Sequence, residues 1–105
     1  MNIGELKQKS DLSYNVAIAK RNALEKAQSR QVIVYKEHIF RADPQTINLV
    51  STLKNTNDKF FVLDTNNNPV EITDPTEFLK ILIERNQESL SSYHQMSKTF
   101  ESRSD

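Results

Sequence analysis

The chain has 105 residues, 36% hydrophobic and 27% charged, and its 14 basic and 14 acidic side chains give a formal net charge of zero. No stretch approaches the ~20 apolar residues of a membrane-spanning helix, there is no cysteine for a disulfide or thiolate metal site, and Gly4 as the only glycine excludes a glycine-rich phosphate loop. Balanced charge argues against a phosphate-reading nucleic-acid protein, which carries a basic excess, and low apolar content in one small domain (1–105) implies a thin core that a partner or self-association would help.

The first segment reads as a helix from about Ile3 or Asp11 to Arg30. Asp11 is a candidate cap. Leu12, Val16, Ala19, Ala23 and Ala27 then recur at steps of three and four, which puts them on one stripe. Alanine favours the helix intrinsically, buries little area, and permits close approach by a second helix. Residues 1–30 carry six bases against three acids, which reads as a solvated helix face rather than a nucleic-acid site. Met1 to Gln8 has neither the basic nor the apolar region of a secretory leader, so the expected compartment is a reducing cytoplasm.

From Gln31 to Ala42 the character changes. Val32-Ile33-Val34-Tyr35 and Ile39-Phe40, separated by Lys36-Glu37-His38, predict a β-hairpin. Without Gly or Asn, a two-residue type I′ turn would be strained, so a longer loop or a bulge is expected. Asp43-Pro44 opens a second helix, with Asp as N-cap and Pro at the first helical position. Ile47, Leu49, Val50 and Leu53 supply its apolar side. Asn55-Thr56-Asn57-Asp58 ends it, with an asparagine expected in the left-handed region.

Lys59 to Asp64 is the strongest strand signal, Asn66-Asn67-Asn68 a turn, and Pro69-Val70-Glu71-Ile72 the returning strand, where proline demands an edge. Asp74-Pro75-Thr76-Glu77 then reads as a capping box with Asp in the usual Ser/Thr place. Phe78, Leu79, Ile81, Leu82 and Ile83 form an apolar first half of the last helix. Leu90, Tyr93, Met96 (or Ser97) and Phe100 continue one stripe. This helix reaches 20 or more residues, with Glu101 to Asp105 polar and frayed. The predicted fold is α+β, a small sheet of two β-hairpins with three helices in the order α-ββ-α-ββ-α. Its core lies in residues 12–100, and the long terminal helices are candidates for antiparallel pairing.

No constellation carries chemistry. His38 and His94 have no second His or Cys at metal-ligand spacing. His38 is read as an exposed turn residue and His94 as a surface helix position. Asp64-Thr65-Asn66-Asn67-Asn68 opens like a calcium loop, but Pro69 stands where glycine must turn and Pro75 where the bidentate Glu belongs. An Asx-rich turn accounts for it. Tyr35, Phe40, Phe60 and Phe61 lack the interleaved basic residues of a base-stacking platform and read as core. The expectation is no enzyme activity, no catalytic, cofactor-binding or metal residues, no nucleic-acid or membrane partner and no small-molecule substrate. The candidate contact stripe is Leu90, Tyr93, Met96 and Phe100, facing either the first helix or a second chain.

Several elements together resemble a domain of unknown function found in bacteriophage and prophage tail proteins, often with tail-fibre and tail-fibre-assembly genes. They are Arg21-x-x-Leu24 on the first helix, Val34-Tyr35, Phe40-x-Ala42-Asp43, Asp64-x-Asn66-Asn67, Val70-x-Ile72-Thr73 and Tyr93 on the long helix. The likeness spans roughly residues 15–100. The chain departs from it where the first hairpin turns through Lys36-Glu37-His38 without a glycine, and where Phe60 or Phe61 replaces a tryptophan. The resemblance implies a non-enzymatic structural or assembly role in a phage or prophage tail. It places the protein in the virion or the bacterial host cytoplasm, with another tail protein or a second copy as partner, and it carries no residue over to a site. A host-directed adaptor or regulator encoded by a mobile element is the alternative.

Overall fold

A computed structural model describes the backbone of residues 3–104 and the side chains of residues 14–100. Its elements are α1 (Ile3–Ser29), β1 (Val32–Tyr35), β2 (His38–Arg41), α2 (Pro44–Thr56), β3 (Phe60–Leu63), β4 (Pro69–Ile72) and α3 (Pro75–Ser104). This is the expected α-ββ-α-ββ-α order. The helix start is settled at Ile3, so Asp11 is an interior position and not the cap. Leu12, the first residue of the expected stripe, lies outside the described side chains. At the other end the α3 backbone stays helical to Ser104, through the described part of the Glu101–Asp105 segment expected to fray.

Each hairpin forms its own two-stranded antiparallel sheet. In the first, Ile33 pairs with Phe40 and Tyr35 with His38; in the second, Phe60 pairs with Ile72 and Val62 with Val70. The period of two sends Ile33, Phe40, Phe60, Val62, Val70 and Ile72 inward. Alternation correspondingly turns Val34, Ile39, Phe61 and Leu63 outward, where they are exposed. Phe60 and Phe61 therefore face opposite ways, and the four strand aromatics share no single face.

The first turn differs from expectation. Tyr35 pairs directly with His38, so the loop is two residues long, and Lys36 and Glu37 have φ of 51° and 67°. This is the type I′ turn that the lack of Gly and Asn argued against. Two left-handed non-glycine residues cost about 1–2 kcal/mol each. Partial compensation comes from Lys36, whose Nζ donates to Thr73 Oγ1 at 3.0 Å and lies 5.7 Å from the Tyr35 ring centroid. The second turn follows sequence logic. Asp64 Oδ1 accepts from the Asn66 and Asn68 backbone N–H groups, and Asn67 takes the left-handed position (φ 64°) that asparagine tolerates.

Both aspartate N-caps form, but among the described residues the Glu77 carboxylate accepts no bond from the Asp74 N–H, so the expected capping box is only half built. Asp43 accepts from Thr46 N at 2.9 Å, and Asp74 accepts from Glu77 N at 3.2 Å. The α2 end is not left-handed. Asn57 is extended (φ −138°), and its backbone N–H and side-chain amide both donate to Leu53 O. A single core, centred on Phe40, Val50, Ile72, Phe78 and Leu82, joins both hairpins to α2 and the first half of α3. Tyr35, Phe40 and Phe78 meet edge to face, with Phe40 and Phe78 centroids 5.0 Å apart and Tyr35 and Phe78 centroids 4.9 Å apart. Leu49 and Ile83, though within apolar runs, stand exposed on their helices.

The molecule extends 66 × 23 × 22 Å, with a radius of gyration of 19.5 Å against about 13 Å for a compact chain this long. The helices cause this. At 1.5 Å per residue α3 runs about 45 Å, far beyond the head built by the hairpins and α2.

Candidate interaction surface

α1 and α3 run antiparallel and form a two-helix stalk on the head. Its neck is polar and fully satisfied. Gln31, just past the end of α1, donates from Nε2 to Ser89 Oγ at 2.9 Å, and Ser89 Oγ donates to Asn86 O at 2.7 Å. Asn86 Nδ2 donates to Ala42 O at 3.0 Å. All three side chains are buried, and among the described residues no buried side-chain polar atom lacks a partner. This chain of bonds fixes where each long helix leaves the head. Sequence reasoning missed it, because Gln, Asn and Ser on a helix look like solvated positions until the fold covers them.

Beyond the neck the seam is made of small side chains. Ala23 and Ala27 are buried on the α1 side, with Ala19 and Val16 half-buried farther out. On α3 the four residues of the expected stripe differ in exposure. Tyr93 and Phe100 are half-buried, while Leu90 and Met96 are 39% and 40% exposed. Part of the stripe is thus half-covered and part stays open to solvent. Alanine on the facing helix reaches too short a distance to cover leucine or methionine. His94 is exposed, as read from the sequence.

A second open surface lies on the outer side of the first hairpin. Val34, 71% exposed, and its cross-strand partner Ile39 border a shallow groove whose far wall is Ile81, Glu84, Arg85 and Glu88 of α3. Arg85 Nε donates to Val32 O at 3.1 Å and its Nη1 to Glu88 Oε2 at 3.2 Å, which occupies part of the β1 edge.

The histidine expected in a turn instead begins β2. His38 is half-buried, and its Nδ1 lies 2.7 Å from Asp64 Oδ2. The Asn68 backbone N–H and the His38 ring, followed by the Asn66 N–H and the Asn68 amide, hold the Asp64 carboxyl down to about 2 against the opposing effect of burial. Every oxygen of that carboxylate is used inside the fold. Among the described residues no group of three or more His, Asp or Glu side chains converges as metal ligands would. Likewise, no described helix is long and apolar enough to cross a membrane.

No family model, curated protein or solved structure matches this chain.

Proposed function

We propose that the protein is a non-enzymatic structural or assembly component of a phage or prophage tail, acting through protein–protein contact along its helical stalk. The observation that carries the contact reading is the stalk itself. It projects beyond the only core among the described residues and leaves Leu90 and Met96 open beside the half-buried Tyr93 and Phe100. Large apolar side chains held on a rigid helix pair, away from the core, are the anchors a partner helix or groove takes up. The tail assignment rests on the sequence resemblance.

The test is co-purification of the full chain with the products of its flanking genes, alongside a Leu90→Asp/Met96→Asp variant. The expected result is that one tail or baseplate protein is retained by the wild type and lost by the variant. Retention of a defined host protein instead, lost by the same variant, would replace the tail reading with the mobile-element adaptor. Retention unaffected by the variant would remove the stalk as the contact element.

A further inference from the structure

We infer that α1 is a hinged arm, which swings away from α3 about Arg30 while the head stays folded. No described residue of α1 belongs to the core, whose side chains come from the two hairpins, Ala42, α2 and the first half of α3. α1 packs chiefly against α3, and the described residues it buries are two alanines, Ala23 and Ala27. Its larger apolar side chains, Val16, Ile18 and Leu24, are only half-buried, and Tyr14 is exposed. A covered alanine removes little apolar surface from water, so such a seam holds α1 weakly. Among the described residues no side-chain hydrogen bond or ion pair ties α1 to another element. The Ser29 hydroxyl donates back to Lys26 O within its own helix.

The polar neck does not fasten the arm. Gln31 is held by the head, where its backbone carbonyl accepts from Ala42 N at 2.7 Å, and its side chain donates to Ser89 of α3. Both bonds survive when α1 leaves. Arg30, which is exposed, is the one residue between the end of α1 at Ser29 and this anchor, so rotation there moves the whole helix. The swing breaks the bonds from Arg30 N to Ala27 O and from Gln31 N to Gln28 O, and water can replace both. Opening bares the length of α3 beyond the head, the same length that carries the open Leu90 and Met96. α1 thus acts as a cover that sets how much of α3 is on offer. The closed pair is the dominant form and the open arm a minor state in equilibrium with it, with or without a partner.

The test is hydrogen exchange of the full chain, followed residue by residue at low urea. A helix without a partner is marginal in water, so α1 amides exchange when the arm opens. Those of residues 14–29 are expected to exchange together, at least about tenfold faster than those of β2, β3 and Phe78 to Leu82, and with little dependence on urea. Val50→Ala, in the core, should speed the head amides about tenfold and leave α1 unchanged. Ala23→Glu should do the reverse, opening α1 with the head amides still protected. Exchange of α1 in step with the head, or a shift of both sets in Val50→Ala, would overturn the inference. So would unfolding of the head in Ala23→Glu. Fast exchange confined to the free end of α1, with Ala23 to Ser29 as protected as the head, would also end it, because that is fraying and not a swing.

Discussion

His38 Nδ1 and Asp64 Oδ2, 26 residues apart in the chain, sit 2.7 Å apart and join the two hairpins. The backbone repeats the link alongside, where Thr65 N donates to Ile39 O at 2.8 Å. A third tie runs from Lys36 Nζ to Thr73 Oγ1. Two isolated hairpins of four-residue strands would be marginal in water. These cross-links, with the shared core, make them one head. Asp64 is central because it also organises its own turn, through the Asn66 and Asn68 N–H groups.

Acid should therefore loosen the head through Asp64. Its folded value of about 2 lies below the ~3.9 of an unfolded aspartate. Its contribution is accordingly complete above about pH 5 and drains away as pH falls toward 2. Asp43 acts in the same sense: burial pushes its carboxyl up, but the Thr46 hydrogen bonds and the Arg41 charge outweigh that and leave it lowered. The melting temperature should fall steeply between pH 5 and pH 2 (about 3 pH units, spanning both values). Asp64→Asn should begin less stable at pH 7 and fall along a shallower slope. Parallel slopes for the two proteins would show that Asp64 is not the group responsible.

The Lys36-Glu37 turn offers a gain in stability. Glu37 holds φ 67° and makes no side-chain bond among the described residues, so Glu37→Gly removes the left-handed penalty at the cost of unfolded-state freedom. Urea denaturation should show a net gain of about 0.5–1 kcal/mol. Glu37→Val, β-branched at the same φ, should lose a similar amount or more. Lys36→Gly is a poorer exchange, because it also breaks the bond to Thr73. A loss of stability in Glu37→Gly would mean that the turn is not strained.

How far the sequence revealed these features depended on how local each signal was. Asp43-Pro44 and Asp74-Pro75 mark helix starts within four residues, and both caps form. The strands were legible from period two and β-branched content. The first turn was not, since its usual marker is Asn-Gly and here strand pairing and the Lys36 tie override local preference. Leu49 and Ile83 show the limit of reading apolar runs as core: each belongs to an apolar helix but lies to one side of its buried stripe. The candidate stripe was visible as spacing, but which of its residues stay open depends on how the distant α1 lies against α3. The His38–Asp64 contact and the Gln31–Ser89–Asn86 chain join polar residues across long separations, and no periodicity marks such pairs.

The neck should be sensitive to loss of single polar groups. Asn86→Ala removes the donor to the buried Ala42 carbonyl and leaves space where the amide was. Leaving a buried acceptor unpaired costs about 1–3 kcal/mol. Equilibrium unfolding should show this, and hydrogen exchange should rise first where α1 joins the head. An Asn86→Ala protein as stable as the wild type would show that water or a shifted helix takes over the carbonyl.

The seam should reject bulk at Ala23. Ala23 is 5% exposed on a helix that packs chiefly against α3, and such small side chains let helices approach to about 8 Å. Leucine at that position would add three carbons to a contact without room for them. It must then push α3 outward or adopt a poor rotamer, at a cost of about 1–3 kcal/mol. Leucine would also add apolar area, which opposes the loss, so the net sign measures how tightly the helices are held. Glu25→Leu, two residues on and exposed, adds comparable apolar area outside the seam and should stay within about 0.5 kcal/mol of wild type. Denaturant midpoints of the two variants compare strain with burial directly. If Ala23→Leu proves as stable as Glu25→Leu, the helices part easily there, and the close approach across the alanines does not hold the stalk together.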